Sequence, residues 1–291
     1  MPSRLAIGTV QFGLPYGIAN RVGQVSREDA ATILTRASMA GVDTLDTAIS
    51  YGTSEQLLGE IGVRGWKVIS KLPAIPEARS ANVAAWVSES VHDSLERLKV
   101  PRLSGLLIHH SHQLLGPYGD AIYMMMTALK DQGKVDKIGV SIYSPHELDA
   151  VWPHFQADLV QAPFNIMDRR LATSGWLTRL HEAGVEIHIR SIFLQGLLLM
   201  ENSNRPPIFR RWQPLWDEWQ RWLNDQSLTP LQACLSFALS RPEVTRIVVG
   251  IDSLKQLQEI LSCVEEKFIM PPATLICQDE DLINPSHWKA I

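Results

Sequence analysis

Asp46, Tyr51, Lys71 and His109 each stand at or just beyond the end of an apolar run: "VDTLD" leads to Asp46 with Tyr51 a turn later, "WKVISK" ends in Lys71, and "LLIH" ends in His109. Taken singly they are a capping aspartate, a half-buried tyrosine, a solvated lysine and a satisfied core histidine. Converging on one point, they form a chemical set. A phenol titrates near about 10, too high to exchange protons easily at neutral pH. A neighbouring ammonium favours the phenolate and is expected to lower that value. A carboxylate paired with the lysine keeps it charged and oriented, and an imidazole can hydrogen-bond and polarise a carbonyl oxygen. The set suits an acid beside a carbonyl that receives negative charge. It does not suit a hydrolase, because no nucleophile with its own base is evident.

Other apolar runs end in polar groups too: Ser141, then Gln161 with Asn165 beyond, Arg190 with Ser191, and Gly250 followed by Asp252 and Ser253. A metal site is the rival use for "LLIHHSH". Neighbouring strand residues point to opposite faces, so His109 and His110 do not converge. Glu186, His188 and Arg190 share a face but fall short of three ligands, so no metal is expected.

The elements that must position these groups alternate. Strand-like runs end near Gly8, Asp46, Lys71, His109, Ser141, Gln161, Arg190 and Gly250, each followed sooner or later by a segment of helical periodicity. Ser26 before "REDAATILTRASMAG" and Ser144 before "PHELDAV" read as helix caps. Eight such units predict an α/β fold, a (β/α)8 TIM barrel whose ligand site lies at the C-terminal ends of its strands. An open doubly wound sheet would want a G-x-G-x-x-G turn after the first strand, and "GTVQFGLPYG" misses that spacing. Residues 1–291 read as one domain with extra loops on the C-terminal face: 14–25, an inserted segment 200–226, and a tail 271–291.

A net charge of −4 offers no positive field for nucleic acid, and no apolar stretch reaches the roughly 18 residues of a membrane span. Cys234, Cys263 and Cys277 are scattered and odd in number, as expected of a reduced compartment. With no signal-like start, a cytoplasmic location is expected.

"LDTAISYG", "ISKL", "LLIH" and "IGVS", with "GTVQFG" near the start and "VVGIDSLKQLQE" near the end, resemble the aldo-keto reductase family over about residues 4 to 264. The resemblance implies an enzyme that binds NADP(H) or NAD(H), with NADP(H) favoured by the family's habit. It implies hydride transfer to an aldehyde or ketone carbon, with Tyr51 as proton donor and Asp46, Lys71 and His109 completing a tetrad; reversal oxidises an alcohol. Ser141 and Gln161 match places that hold the carboxamide, although Ile142 stands where asparagine is frequent. Arg190 matches a place that stacks on the nicotinamide, and Ser191, Phe193 and Gly196 the diphosphate path. At the eighth strand Gly250, Asp252, Ser253 and Gln256 supply no cation for a 2′-phosphate. Asp252 would repel a phosphate facing it, or accept a ribose hydroxyl. Glu259 matches an adenine contact, while Ile260 replaces a common asparagine.

For the substrate, Phe12, Tyr16, His110 and Trp212 are expected at the rim beside a small carbonyl or alcohol, sugar-derived compounds included. The tryptophans of "WQPLWDEW" are either an aromatic wall or a packing stripe on the barrel. A monomer or small homo-oligomer is expected. Two other functions compete: a cofactor-binding regulatory barrel without turnover, and a non-redox lyase using Lys71 as a Schiff base.

Overall fold

The computed structural model describes residues 4–264 and 268–290. Eight parallel strands form one closed barrel: β1 Leu5–Gly8, β2 Thr44–Asp46, β3 Lys67–Leu72, β4 Gly105–Ile108, β5 Ile138–Ser141, β6 Leu159–Pro163, β7 Glu186–Arg190 and β8 Arg246–Gly250. β1 closes the ring by pairing Gly8 with Asp46 on one side and with Gly250 on the other. Helices follow the strands and wrap the outside, as the alternation predicts.

The register explains why polar groups gather at one end. Asp46 pairs with Ile69, so Lys71 lies two residues further along the same face. Side chains two apart on a strand share a face. Ile69, Leu107 and Leu159 make a separate apolar cluster. Lys71, His109 and Gln161 each follow one of these three by two residues and so stand above it. The barrel is plugged by apolar packing and topped by a polar layer.

Local chemistry explains most helix starts. Ser26 accepts from the Asp29 N–H at 3.1 Å and caps Arg27–Met39. Ser144 does not cap its helix, His146–Val151. Glu147 reaches back instead and accepts from the N–H groups of Tyr143 and Ser144 at 2.7 and 2.8 Å. The inserted segment forms two short turns and the helix Gln213–Gln226, which buries Trp216, Trp219 and Trp222. The packing-stripe reading therefore holds. Trp212, expected at the rim, is buried against Phe209 with its Nε1 donating to Asp279. Phe12 is a correction of the same kind. It is fully buried in the turn Val10–Gly13, whose Val10 and Gln11 face the cavity instead. Among the described residues no helix is long and apolar enough to cross a membrane.

Glu55, at the start of the helix Ser54–Ile61, ties that helix to its neighbours. Its buried carboxylate accepts from Ser70 at 2.6 Å, Ser94 at 2.7 Å, and the Arg97 guanidinium at 2.7 and 2.9 Å. Removing the carboxylate strands three donors, so Glu55→Ala is expected to cost roughly 3 kcal/mol. Equilibrium urea denaturation checks this, and an unchanged midpoint would contradict it.

Candidate active site

Tyr51 is carried by the turn between β2 and the helix Ser54–Ile61. The Tyr51 N–H donates to Ala48 O and its carbonyl accepts from Ser54 N, both at 3.0 Å. The turn Val10–Gly13 packs directly on this backbone: a Cβ on Gly13 would lie 1.8 Å from the Tyr51 carbonyl oxygen. Glycine there permits the close approach that fixes the tyrosine.

The four side chains predicted to converge do meet. Lys71 Nζ donates to Asp46 Oδ2 at 2.8 Å, to the Thr47 carbonyl at 2.8 Å and to the Tyr51 hydroxyl at 3.5 Å. The Tyr51 and His109 rings stand edge to face, with centroids 5.9 Å apart. Gln161 Nε2 donates to Asp46 Oδ1 at 2.6 Å, so both carboxylate oxygens are engaged. Ser141 lies beside Gln161 in the register.

Burial governs the protonation of this group. It pushes the Tyr51 phenol above its ordinary value, the Asp46 carboxylate adds to the rise, and Arg190 opposes it. The expectation of an acidified phenol is thus corrected: Lys71 stands close, but its charge is answered by Asp46. The lysine itself is lowered by burial, with Asp46 pulling it back up. His109 is lowered to about 3 by burial and then by Lys71, His110 and Arg190. It is a neutral imidazole, placed beside a phenol that keeps its proton.

A cavity of about 950 Å³ runs from this point across the barrel mouth. That is at the upper end of the ~300–1,000 Å³ typical of small-molecule sites. Asp46, Tyr51, His109, His110, Tyr16 and Arg190 line the end that holds the Asp46–Lys71–Tyr51 cluster. Ser191, Phe193 and Gly196 follow, then Gly250, Asp252, Gln256 and Glu259. Of the sequence-predicted residues, Lys71, Ser141, Gln161 and Ser253 stand behind this surface, and Phe12 and Trp212 lie away from it. Ser253 caps the helix Leu254–Ser262 by accepting from Gln256 N.

Arg190 does not lie free for stacking on both faces. Its guanidinium covers the Tyr143 ring at 4.5 Å, donates to Ile142 O at 3.0 Å, and reaches Ser191 Oγ at 3.3 Å. The backbone beyond it is strained, since Ser191, Leu194 and Gln195 have φ of 58°, 49° and 53°. Non-glycine residues in the left-handed region cost about 1–3 kcal/mol each, so the surrounding packing must hold this backbone in place. Among the described residues no group of three or more His, Cys, Asp or Glu side chains is arranged to hold a metal. His188 instead meets Glu186 at 2.7 Å inside the barrel.

Several lining residues escaped the sequence reading. Gln11 sits just past β1, and applying the strand-end rule to the first strand would have found it. Tyr143 lies two residues past the end of β5. Trp288 reaches the cavity from the tail. The tail is pinned by Arg211 to Asp279 and Asp281 at 2.8 and 3.0 Å, by Arg170 to Glu280 at 2.8 Å, and by the Phe209–Trp288 ring contact at 5.0 Å. Sequence periodicity carries no trace of such long-range pairing.

The depressed His109 value has a consequence for stability. The ordinary value is 6.5 and the folded value about 3, so between them the unfolded chain binds one more proton than the folded one. His109 leaves stability untouched above pH 6.5 and subtracts from it progressively as pH falls toward 3. His109→Phe is expected to flatten that slope in thermal melts recorded across the window. Parallel slopes for the two proteins would show that the imidazole titrates normally.

Comparison with known proteins agrees with the geometry. L-galactose dehydrogenase of Arabidopsis thaliana is 26% identical over 292 residues, spanning 90% of this chain and 86% of that protein. Aldo-keto reductase YhdN of Bacillus subtilis is 27% identical over 183 residues, a match that spans 59% of this chain and about half, 53%, of that protein. Among solved structures, aldo-keto reductase AKR11C1 of Bacillus halodurans in its holo form superposes with a TM-score of 0.72, at 20% identity, over 91% of this chain and 88% of that one. At that identity the likeness speaks for the barrel alone. Residues 4–269 match the model of the Aldo/keto reductase family, and with nearly the whole sequence covered, the chain belongs to that family.

Proposed function

We propose that this protein is a nicotinamide-dependent oxidoreductase that reduces an aldehyde or ketone to the alcohol, with Tyr51 as proton donor. The observation that carries the reading is the Asp46–Lys71–Tyr51 chain of contacts at the mouth of the barrel, with neutral His109 beside it. Family membership supports the same reading.

The residues present fit a dinucleotide. Gln161 Oε1 is buried without a hydrogen-bond partner beside the Asp46 carboxylate, an unused acceptor directly behind the cavity wall. Gly196 and Gly250 line the cavity where side chains would intrude: a Cβ would lie 2.5 Å from Ala19 Cβ in the first case and 2.4 Å from Gln11 Nε2 in the second. Ser141 and Gln161 would support the carboxamide end from behind the cavity wall, and the strained turn Ser191–Gly196 would hold the diphosphate. A reduced nicotinamide, when bound, would supply a hydride for the carbonyl carbon.

The chain's own residues handle the oxygen. His109, neutral at working pH, donates a hydrogen bond to the carbonyl oxygen and fixes its position. Tyr51 gives its proton to that oxygen as negative charge develops, because an alkoxide is a stronger base than a phenolate. Lys71, held by Asp46 and Thr47, stabilises the phenolate left behind. Arg190 adds positive potential at the same end.

The aromatic faces of Tyr16, Tyr143 and Trp288, together with His110, suit a polar ring-bearing substrate such as a sugar-derived aldehyde. The relative named for L-galactose points the same way. The lyase alternative is disfavoured by Lys71 itself, which is buried behind the cavity with its ammonium engaged by Asp46 and Thr47. The regulatory alternative gives no reason for a complete proton-donating set.

Tyr51→Phe tests the proposal. The variant is expected to bind nicotinamide dinucleotides as the parent does and to lose about 10²–10⁴ in turnover on a panel of aldehydes and sugars. Steady-state rates with both reduced dinucleotides provide the measurement, and near-parental turnover would remove Tyr51 as the donor.

A further inference from the structure

The far end of the cavity has a charge character opposite to that of the catalytic end. Arg190 is the one arginine or lysine lining the cavity among the described residues, and it sits at the catalytic end, close enough to bias both Tyr51 and His109. At the other end stand two carboxylates, Asp252 and Glu259, with Gln256 between them. Lys255 is not one of the lining residues. Its side chain is 84% exposed and lies outside the lining, where it pairs with Glu259 at 3.8 Å and offsets that carboxylate, so Asp252 carries the unanswered charge.

Asp252 is held in place and left partly unsatisfied. Its N–H donates to Gln256 Oε1 at 2.8 Å, and its Oδ2 has only a long contact, 3.5 Å, from Gln256 Nε2. Its Oδ1 is buried with no partner, as is Gln11 Oε1 across Gly250. Two buried acceptors without donors are costly, and they call for a ligand that brings hydroxyl or amine protons. They repel one that brings more acceptors.

We propose that this end selects the dinucleotide whose adenosine ribose carries two free hydroxyls, NAD(H), over its 2′-phosphorylated counterpart, with Asp252 as the discriminating residue. The inference rests on the nicotinamide reading above and reverses the preference for NADP(H) that family habit suggests. With the nicotinamide at Tyr51, a dinucleotide lying along the cavity brings its adenosine ribose to Gly250–Gln256. A ribose diol donates to a carboxylate in charge-assisted hydrogen bonds, the same use of an acidic residue found in unrelated dinucleotide folds. A 2′-phosphate carries nearly two negative charges and no proton to share at neutral pH. Beside a half-buried carboxylate, with no lysine or arginine lining that end among the described residues, it meets repulsion that solvent screens poorly.

The test is calorimetric titration of the full chain with NADH and with NADPH, which reads binding independently of turnover. The parent protein is expected to bind NADH at least about tenfold more tightly, a difference of about 1.4 kcal/mol. Asp252→Asn, nearly isosteric, is expected to narrow the ratio severalfold, mainly by improving NADPH. Gln256→Arg adds a cation at the same end and is expected to shift the ratio toward NADPH even if the first variant folds poorly, which circular dichroism would reveal. Tighter binding of NADPH by the parent, or a ratio unmoved in both folded variants, overturns the assignment of Asp252 while leaving the reductase reading intact. Failure of both dinucleotides to bind overturns that reading, and this inference falls with it.

Discussion

The ion pair between Lys71 and Asp46 is the constraint on which the upper half of the barrel depends. Both side chains are almost wholly buried, 1% and 5% exposed, with N and O 2.8 Å apart. Taking two charges out of water costs several kcal/mol per ion, and the pair is tolerable only when the remaining lone pairs and protons are satisfied. Here Gln161 takes the second carboxylate oxygen and the Thr47 carbonyl a second ammonium proton. The third direction of the ammonium points to the Tyr51 hydroxyl. The phenol is thus the least firmly bound member of a network whose other members cannot move without leaving a charge unpaired. That arrangement suits the proton-donating role proposed for Tyr51, since its surroundings stay still.

The same pair explains why the tyrosine is not acidified. An isolated ammonium beside a phenol would favour the phenolate. An ammonium already matched by a carboxylate offers little net field, and burial, which penalises any charge, then decides the direction. Residue type alone predicts the first case. The pairing with Asp46 is legible in residue type as well; the burial that then decides the direction is seen only in the structure.

Much of the site was legible because a parallel barrel turns sequence into layers. Strand parity places Lys71, His109 and Gln161 above Ile69, Leu107 and Leu159, so reading the strand ends in order recovers the polar layer. What was not legible lies off the strands. Phe12 and Trp212 are aromatic and near the mouth in sequence, yet they face the core. Periodicity identifies a stripe without saying which side of the mouth it faces. Trp288 enters the cavity only because Arg211 and Arg170 pin an acidic tail across the barrel. Ser144 had the right type for a cap, but Glu147 competed successfully for the same N–H groups.

The cavity then combines two kinds of precision. Its catalytic end is built on strands and held by ionic contacts, where a small displacement would be costly to the chemistry. Its middle is a loop kept in an unfavourable backbone conformation at Ser191, Leu194 and Gln195, which the surrounding packing must over-determine. Its far end is acidic, while at the tyrosine end Lys71 and Asp46 offset each other and Arg190 leaves a net positive charge. For the reaction proposed, negative charge grows on a carbonyl oxygen at the cationic end and nowhere else. The polarity of the cavity therefore favours the transition state over the ground state at the one place where charge changes. The distribution of charge along the groove, more than any single contact, is what the proposed reduction draws on.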